Sequence, residues 1–204
     1  MLMLPSNIDY YVGVARWEPN TRERLVRAAL DLFAEQGYAA TTVSEIAERA
    51  GGLSKMTFFR HFPDKREVLF AGQDKMGQLL ADAIAAVPGP PTPLQAVAAG
   101  LDAIAALHQN DRREFAVRLR AVIVGNPELR ERAAFKRIAL TEALTTALQK
   151  RGVPDLTAGL AAELGIRAYY RAYEQWADSP GEQTLTDFTH RSLDELRAAS
   201  ATLD

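Results

Sequence analysis

The chain of 204 residues contains no cysteine. This excludes disulfides, thiolate metal sites and a cysteine nucleophile, and it fits a reducing compartment. Histidine is scarce. His61, His108 and His190 stand far apart, so no metal-ligand cluster is legible. No apolar run reaches the roughly 20 residues needed to span a bilayer. Residues 1–11 lack the basic start of a signal peptide, and Pro5 interrupts their short apolar stretch. The expectation is a cytoplasmic protein with no membrane contact. Positive charge is not in excess either: 24 Lys and Arg against 26 Asp and Glu give a formal net charge of −2. Overall charge therefore does not mark a nucleic-acid binder. The catalytic signatures G-x-S-x-G, G-x-G-x-x-G, H-E-x-x-H and the phosphate loop are all missing. So is the Glu-x-x-His pair of a di-iron bundle. The chain is expected to be no enzyme and to carry no cofactor.

What is present is a helical pattern. A hydrophobic content of 48% is enough to build a core. Residues 1–19 form a leader without helical period, expected to be flexible, in which Arg16 is the one cation suited to a groove. After it the chain reads as all-α, with about nine helices. Asn20 and Glu23 have capping-box spacing, Leu25, Ala29, Leu32 and Phe33 line one face, and Gly37 ends the first helix. Thr42 and Glu45 form a second box, before the stripe Val43, Ile46, Ala47 and Ala50. Gly51 and Gly52 break that helix. Ser54 caps a third, stapled by Leu53 and Phe58 and stopped by Pro63. Asp64 and Glu67 are read as capping a fourth helix that runs through Val68, Leu69, Met76, Leu80 and Ile84. The segment from Pro88 to Pro93 is a clear break. Helices follow over about 94–109, 111–124, 127–151, 156–178 and 183–199.

Two short helices around a tight glycine turn, residues 43–62, have the form of a helix-turn-helix. An ordinary helical bundle gives the same pattern. The distinguishing feature is the third helix. Phe58 and Phe62 mark its buried side, and Lys55, Met56, Thr57, Phe59, Arg60 and His61 are left facing outward. With Lys65 and Arg66 they make a local cationic stretch, opposed by Asp64, that suits phosphates and base edges.

The stretches TRERLVRAALDLFAEQGYAATTVSEIA (21–47), AGGLSKMTFFRHFPDK (50–65) and REVLF (66–70) resemble the DNA-binding segment of the tetracycline-repressor family. The resemblance implies a helix-turn-helix head over 20–66 and a helical ligand-binding and dimerisation body over 67–204. It implies that Thr42 meets a phosphate, that Ser54, Lys55 and Thr57 approach phosphates or bases, and that His61 and Lys65 grip the DNA backbone. Three departures stand out. Gly52 and Leu53 make the turn one residue longer than usual, Met56 replaces a frequent glycine, and Phe59 replaces a frequent phosphate-binding tyrosine. The expected partners are double-stranded DNA with an inverted-repeat operator, a second copy of the chain, and a hydrophobic or amphipathic small molecule. For the dimer, Leu156, Leu160 and Leu164 on one helix and Leu185, Phe188 and Leu196 on the next offer apolar faces for a two-fold four-helix bundle.

For the ligand, Tyr169, Tyr170, Tyr173, Glu174 and Trp176 cluster on one helix as a candidate aromatic wall with a polar anchor. His108, Phe115, Arg118, Arg120 and Phe135 are further candidates. Core and dimer packing is the competing reading of each. Asp187 and His190 read as a surface pair. Two other functions stay open: a helical adaptor whose head binds protein, and a helical enzyme using a cavity in the body.

Overall fold

The computed structural model describes residues 21–203. The leader and the Asn20 cap lie outside the described residues. Among the described residues there is no strand, and nine α-helices follow one another. The head holds α1 (Thr21–Gln36), α2 (Val43–Arg49) and α3 (Lys55–His61). The body holds α4 (Gln73–Ala86), α5 (Pro93–Ala105), α6 (Arg113–Val124), α7 (Pro127–Lys150), α8 (Asp155–Asp178) and α9 (Leu185–Ser200).

Local chemistry sets most helix ends. Thr42, Thr92 and Thr184 each close a reciprocal capping box with the residue three positions on. Asn126 accepts from the backbone of Glu128 and Leu129, and Pro127 follows at the first helical position. Phe62, held extended ahead of Pro63, ends α3.

The expected fourth helix is corrected by the structure. It is split into a 3-10 turn over Arg66–Phe70 and a separate α4, with Gly72 at φ +96 between them. Only a residue without a Cβ takes that conformation cheaply, so the chain changes direction there. Asp64 caps the 3-10 turn, accepting from the Arg66 and Glu67 amides at 2.8 and 3.1 Å. Glu67 is not a cap. It is buried and points at α7, pairing with Arg132 and, at 3.1 Å, with Lys136.

Two apolar clusters organise the molecule. The first joins α1, α2 and α3 with Val68, Leu69 and Phe70. It also takes in Leu129 of α7, with Phe115, Leu119, Val122 and Ile123 of α6 packed against it. The head is thus closed from below by the body's own helices. The second fills the body with α4, α5, α7, α8 and α9 around Leu80, Ile84, Leu101, Leu144, Ile166 and Trp176. The hairpin of α8 and α9 packs most extensively of all pairs. Leu185 and Phe188, expected on a free dimer face, lie instead inside this core. Leu156 and Leu160 are exposed.

A candidate DNA-reading surface and an aromatic cluster

The turn before α3 is built by glycine. Gly51 and Gly52 have φ of +105 and +69, and the amides of Gly51, Gly52 and Leu53 return to the carbonyls of Glu48 and Ala47. Two successive left-handed residues absorb the extra residue of the turn. Arg24 of α1 locks the arrangement, its Nε donating to the Ala50 carbonyl at 2.7 Å. A Cβ on Gly51 would collide with that guanidinium. The result keeps Phe58 and Phe62 fully inside the head.

The outward side of α3 differs from expectation in one respect. Thr57 is only half-exposed, and its hydroxyl lies 2.9 Å from that of Ser54, which also accepts from the Thr57 amide at 3.0 Å. Both hydroxyls are engaged in the cap. Met56 and Phe59 are its exposed large apolar residues, at 77% and 46%. Lys55, Arg60 and His61 are exposed around them, and the Lys55 ammonium stands 5.9 Å above the Phe59 ring.

Thr42 is exposed at the start of α2, but its hydroxyl is committed to Glu45 at 2.7 Å. The hydrogen bonds from Thr42 hold the Glu45 carboxyl below the usual carboxylate range. Lys65, expected as a phosphate grip, turns inward. Its Nζ donates to the carbonyls of Tyr38 at 2.7 Å and Thr41 at 2.8 Å and lies 4.1 Å from the Tyr38 ring centre. Burial pulls its pKa down. Arg66 is paired with Asp64 at 3.0 Å. Lys55 and Arg60 are thus the cations of this stretch that no carboxylate neutralises among the described residues.

In the body the structure brings four of the expected ligand residues together. His108 meets Tyr169 and Tyr173 edge-on, with ring centres 6.3 and 5.4 Å apart, and Tyr170 stands 5.6 Å from Tyr169. Trp176 completes the cluster, 6.0 Å from His108. Its Nε1 donates to Asn110 at 3.0 Å, and the Arg113 guanidinium lies 5.5 Å over its ring. Burial pushes the His108 imidazole down to about 4. Its Nδ1 sits 3.2 Å from the Ile104 carbonyl, so the neutral ring carries its proton there.

The other candidates lie elsewhere. Phe115 packs on the head cluster, and Arg118 forms an ion pair with Asp31 of α1 at 2.5 Å. Phe135 is exposed on α7 and Glu174 on α8, while Arg120 pairs with Asp178. His190 pairs with Asp102 rather than Asp187, whose carboxylate caps α9. A cavity of about 580 Å³ opens between residues 89–93 and 151–154, and none of the expected ligand residues lines it. Arg151, its one charged wall, is occupied by the carbonyls of Ile84, Ala85 and Gly89. Among the described residues no group of His, Asp and Glu is placed to hold a metal, and no helix is long and apolar enough to cross a membrane.

Sequence reasoning missed Arg24, Arg113 and the Glu67 pairing. Only Glu67 carried a signal, as the charge directly before the apolar stretch Val68, Leu69 and Phe70.

Comparison with known proteins points to one group. The family described as "Bacterial regulatory proteins, tetR family" matches residues 25–71. The regulator TcmR of Streptomyces glaucescens is 40% identical over 84 residues, 41% of this chain and 37% of its own length. The regulator BetI of Rhizobium meliloti (strain 1021) is 40% identical over 83 residues, 40% of each chain. The chain thus matches less than half the length of these relatives. Solved structures extend the likeness to the whole fold. The FadR regulator of Bacillus subtilis, solved with stearoyl-CoA, superposes with a TM-score of 0.57 at 21% identity, over 85% of this chain and 96% of that one. A transcriptional regulator of Aquifex aeolicus VF5 gives 0.51 at 20% identity, over 88% and 99%.

Proposed function

This chain belongs to the tetR family of bacterial regulatory proteins, and from that premise we propose that it is a DNA-binding transcriptional repressor controlled by a small molecule. The observation that carries the reading is α3. It lies inside the matched residues, its buried side is fixed by Phe58 and Phe62, and it presents Lys55, Met56, Phe59, Arg60 and His61 to solvent. In such a unit the second helix enters the major groove and the first crosses the backbone. A two-fold dimer would place two heads on an inverted-repeat operator in the cytoplasm. The role is binding, with no reaction assigned.

The test is enrichment of genomic fragments by the purified protein, followed by a gel shift at several salt concentrations. Specific binding should weaken as salt rises, with a log–log slope of about −0.9 per phosphate neutralised. Lys55→Ala and Arg60→Ala should each flatten that slope by about one unit per head. A salt-independent interaction, or no enriched fragment, overturns the reading in favour of a protein-binding head.

The ligand reading rests on the cluster of His108, Tyr169, Tyr173 and Trp176. Aromatic walls with a few polar atoms take hydrophobic or amphipathic molecules. A thermal-shift screen should begin with such compounds, long-chain acyl-CoA among them because a fold neighbour holds one. Stabilisation by sugars or free nucleotides alone would overturn this part.

A further inference from the structure

Met56 and Phe59 are the two large apolar side chains exposed in the head among the described residues. They sit three positions apart on α3, and residues at that spacing share one helix face. That face is the one left when Phe58 and Phe62 are turned inward. The polar groups that would otherwise read bases there are occupied: the hydroxyls of Ser54 and Thr57 bond each other. Lys55 and Arg60 flank the apolar pair with uncompensated positive charge. An apolar centre in a cationic rim fits a surface that is polyanionic at its edges and locally apolar in its middle. The major groove of DNA has that character only where thymine presents its C5 methyl.

Resting on the DNA-binding reading above, we infer that Met56 and Phe59 are specificity-determining residues that read thymine methyl groups in each operator half-site. Lys55 and Arg60 hold the neighbouring phosphates and bring the helix into register without selecting a base. Met56 supplies an unbranched side chain that adapts to the floor of the groove. Phe59 supplies a flat face, steadied at its edge by Phe58 at 5.5 Å.

The experiment uses the full chain and an operator enriched from genomic DNA. Each thymine of one half-site, then of both, is replaced by deoxyuridine, which removes the methyl and leaves every hydrogen-bonding group in place. Affinity should fall about fourfold per critical methyl, as expected for about 0.8 kcal/mol from one buried methyl-sized group. The loss should occur at one or two positions per half-site. Met56→Ala should abolish the sensitivity at one of them while the thermal melt stays unchanged, because the side chain is so exposed. Phe59→Ala should abolish it at the other, and Phe59→Leu repeats the measurement if Phe59→Ala lowers the melt. Deoxyuridine that is neutral everywhere, or losses that persist in both Met56 and Phe59 variants, overturn the inference while DNA binding itself stands. Failure to enrich any DNA overturns the underlying reading together with it.

Discussion

The His108 ring sits among Tyr169, Tyr173 and Trp176, and its Nδ1 proton is directed at the Ile104 carbonyl. Burial lowers its pKa to about 4, with the positive charge of Arg112 adding to the shift. An unfolded histidine titrates near 6.5. Between these values the unfolded chain binds a proton that the folded chain refuses, so stability falls as pH drops from about 6.5 to about 4 and levels off below. The loss from this one group should reach about 3 kcal/mol. Urea melts across that range should show a shallower decline for His108→Gln. Identical slopes in both proteins would mean the ring is not held neutral. Lys65 gives a second test at this scale. Its two charge-assisted bonds fix the loop before α2, and such bonds are worth about 1.5–3 kcal/mol each when intact. Lys65→Ala should therefore cost about 3 kcal/mol or more in a melt without DNA. A pure phosphate clamp would leave the melt untouched.

Element ends were legible in the sequence because their causes are local. Thr42, Ser54 and Pro63 act within a few residues of themselves, and the structure uses each of them. The same local logic misled at Glu67. Asp64 and Glu67 have capping-box spacing, but Asp64 completes the cap alone, and Glu67 finds cations on a helix sixty residues later. No local rule reveals such a partner. Phe115 and Arg118 failed for the same reason: which face of α6 meets the head is decided by packing, and both ended at the seam with α1. The seam is where head and body are joined. Glu67 and Lys136 are both buried there, with Arg132 closing the group. Removing one partner of a buried ion pair costs far more than the pair itself contributes, because the remaining charge is left in a poor solvent. Glu67→Gln should lower stability by about 3 kcal/mol. The double change Glu67→Gln with Lys136→Met should recover a good part of it. If the double variant is less stable than the single one by the full cost of Lys136→Met alone, the two residues do not act as a pair.

At the scale of the whole molecule, the proposed repressor needs two heads held at the spacing of two half-sites. The hairpin of α8 and α9 has its inner faces filled: Leu185, Phe188 and Trp176 belong to the protomer's own core. What it leaves uncovered is the start of α8, where Leu156 and Leu160 are 78% and 60% exposed and Leu164 follows half-buried at the same four-residue spacing. Side chains at that spacing form a continuous stripe along the helix. Two copies brought together by a two-fold axis would cover each other's stripe, since an isologous interface is self-complementary. Leu160→Asp places a carboxylate in the middle of it. The position is solvent-exposed in the protomer, so its folding should change by no more than about 0.5 kcal/mol. Light scattering at micromolar concentration should then give a monomer where the unaltered chain gives a dimer. Affinity for an inverted repeat should drop by about two orders of magnitude, through loss of the second head's high effective concentration. Affinity for a single half-site should stay as it was. A Leu160→Asp protein that remains dimeric would move the interface to the other exposed apolar stripe, Phe135 and Ile138 on α7. Phe135→Asp would then be the variant that separates the protomers.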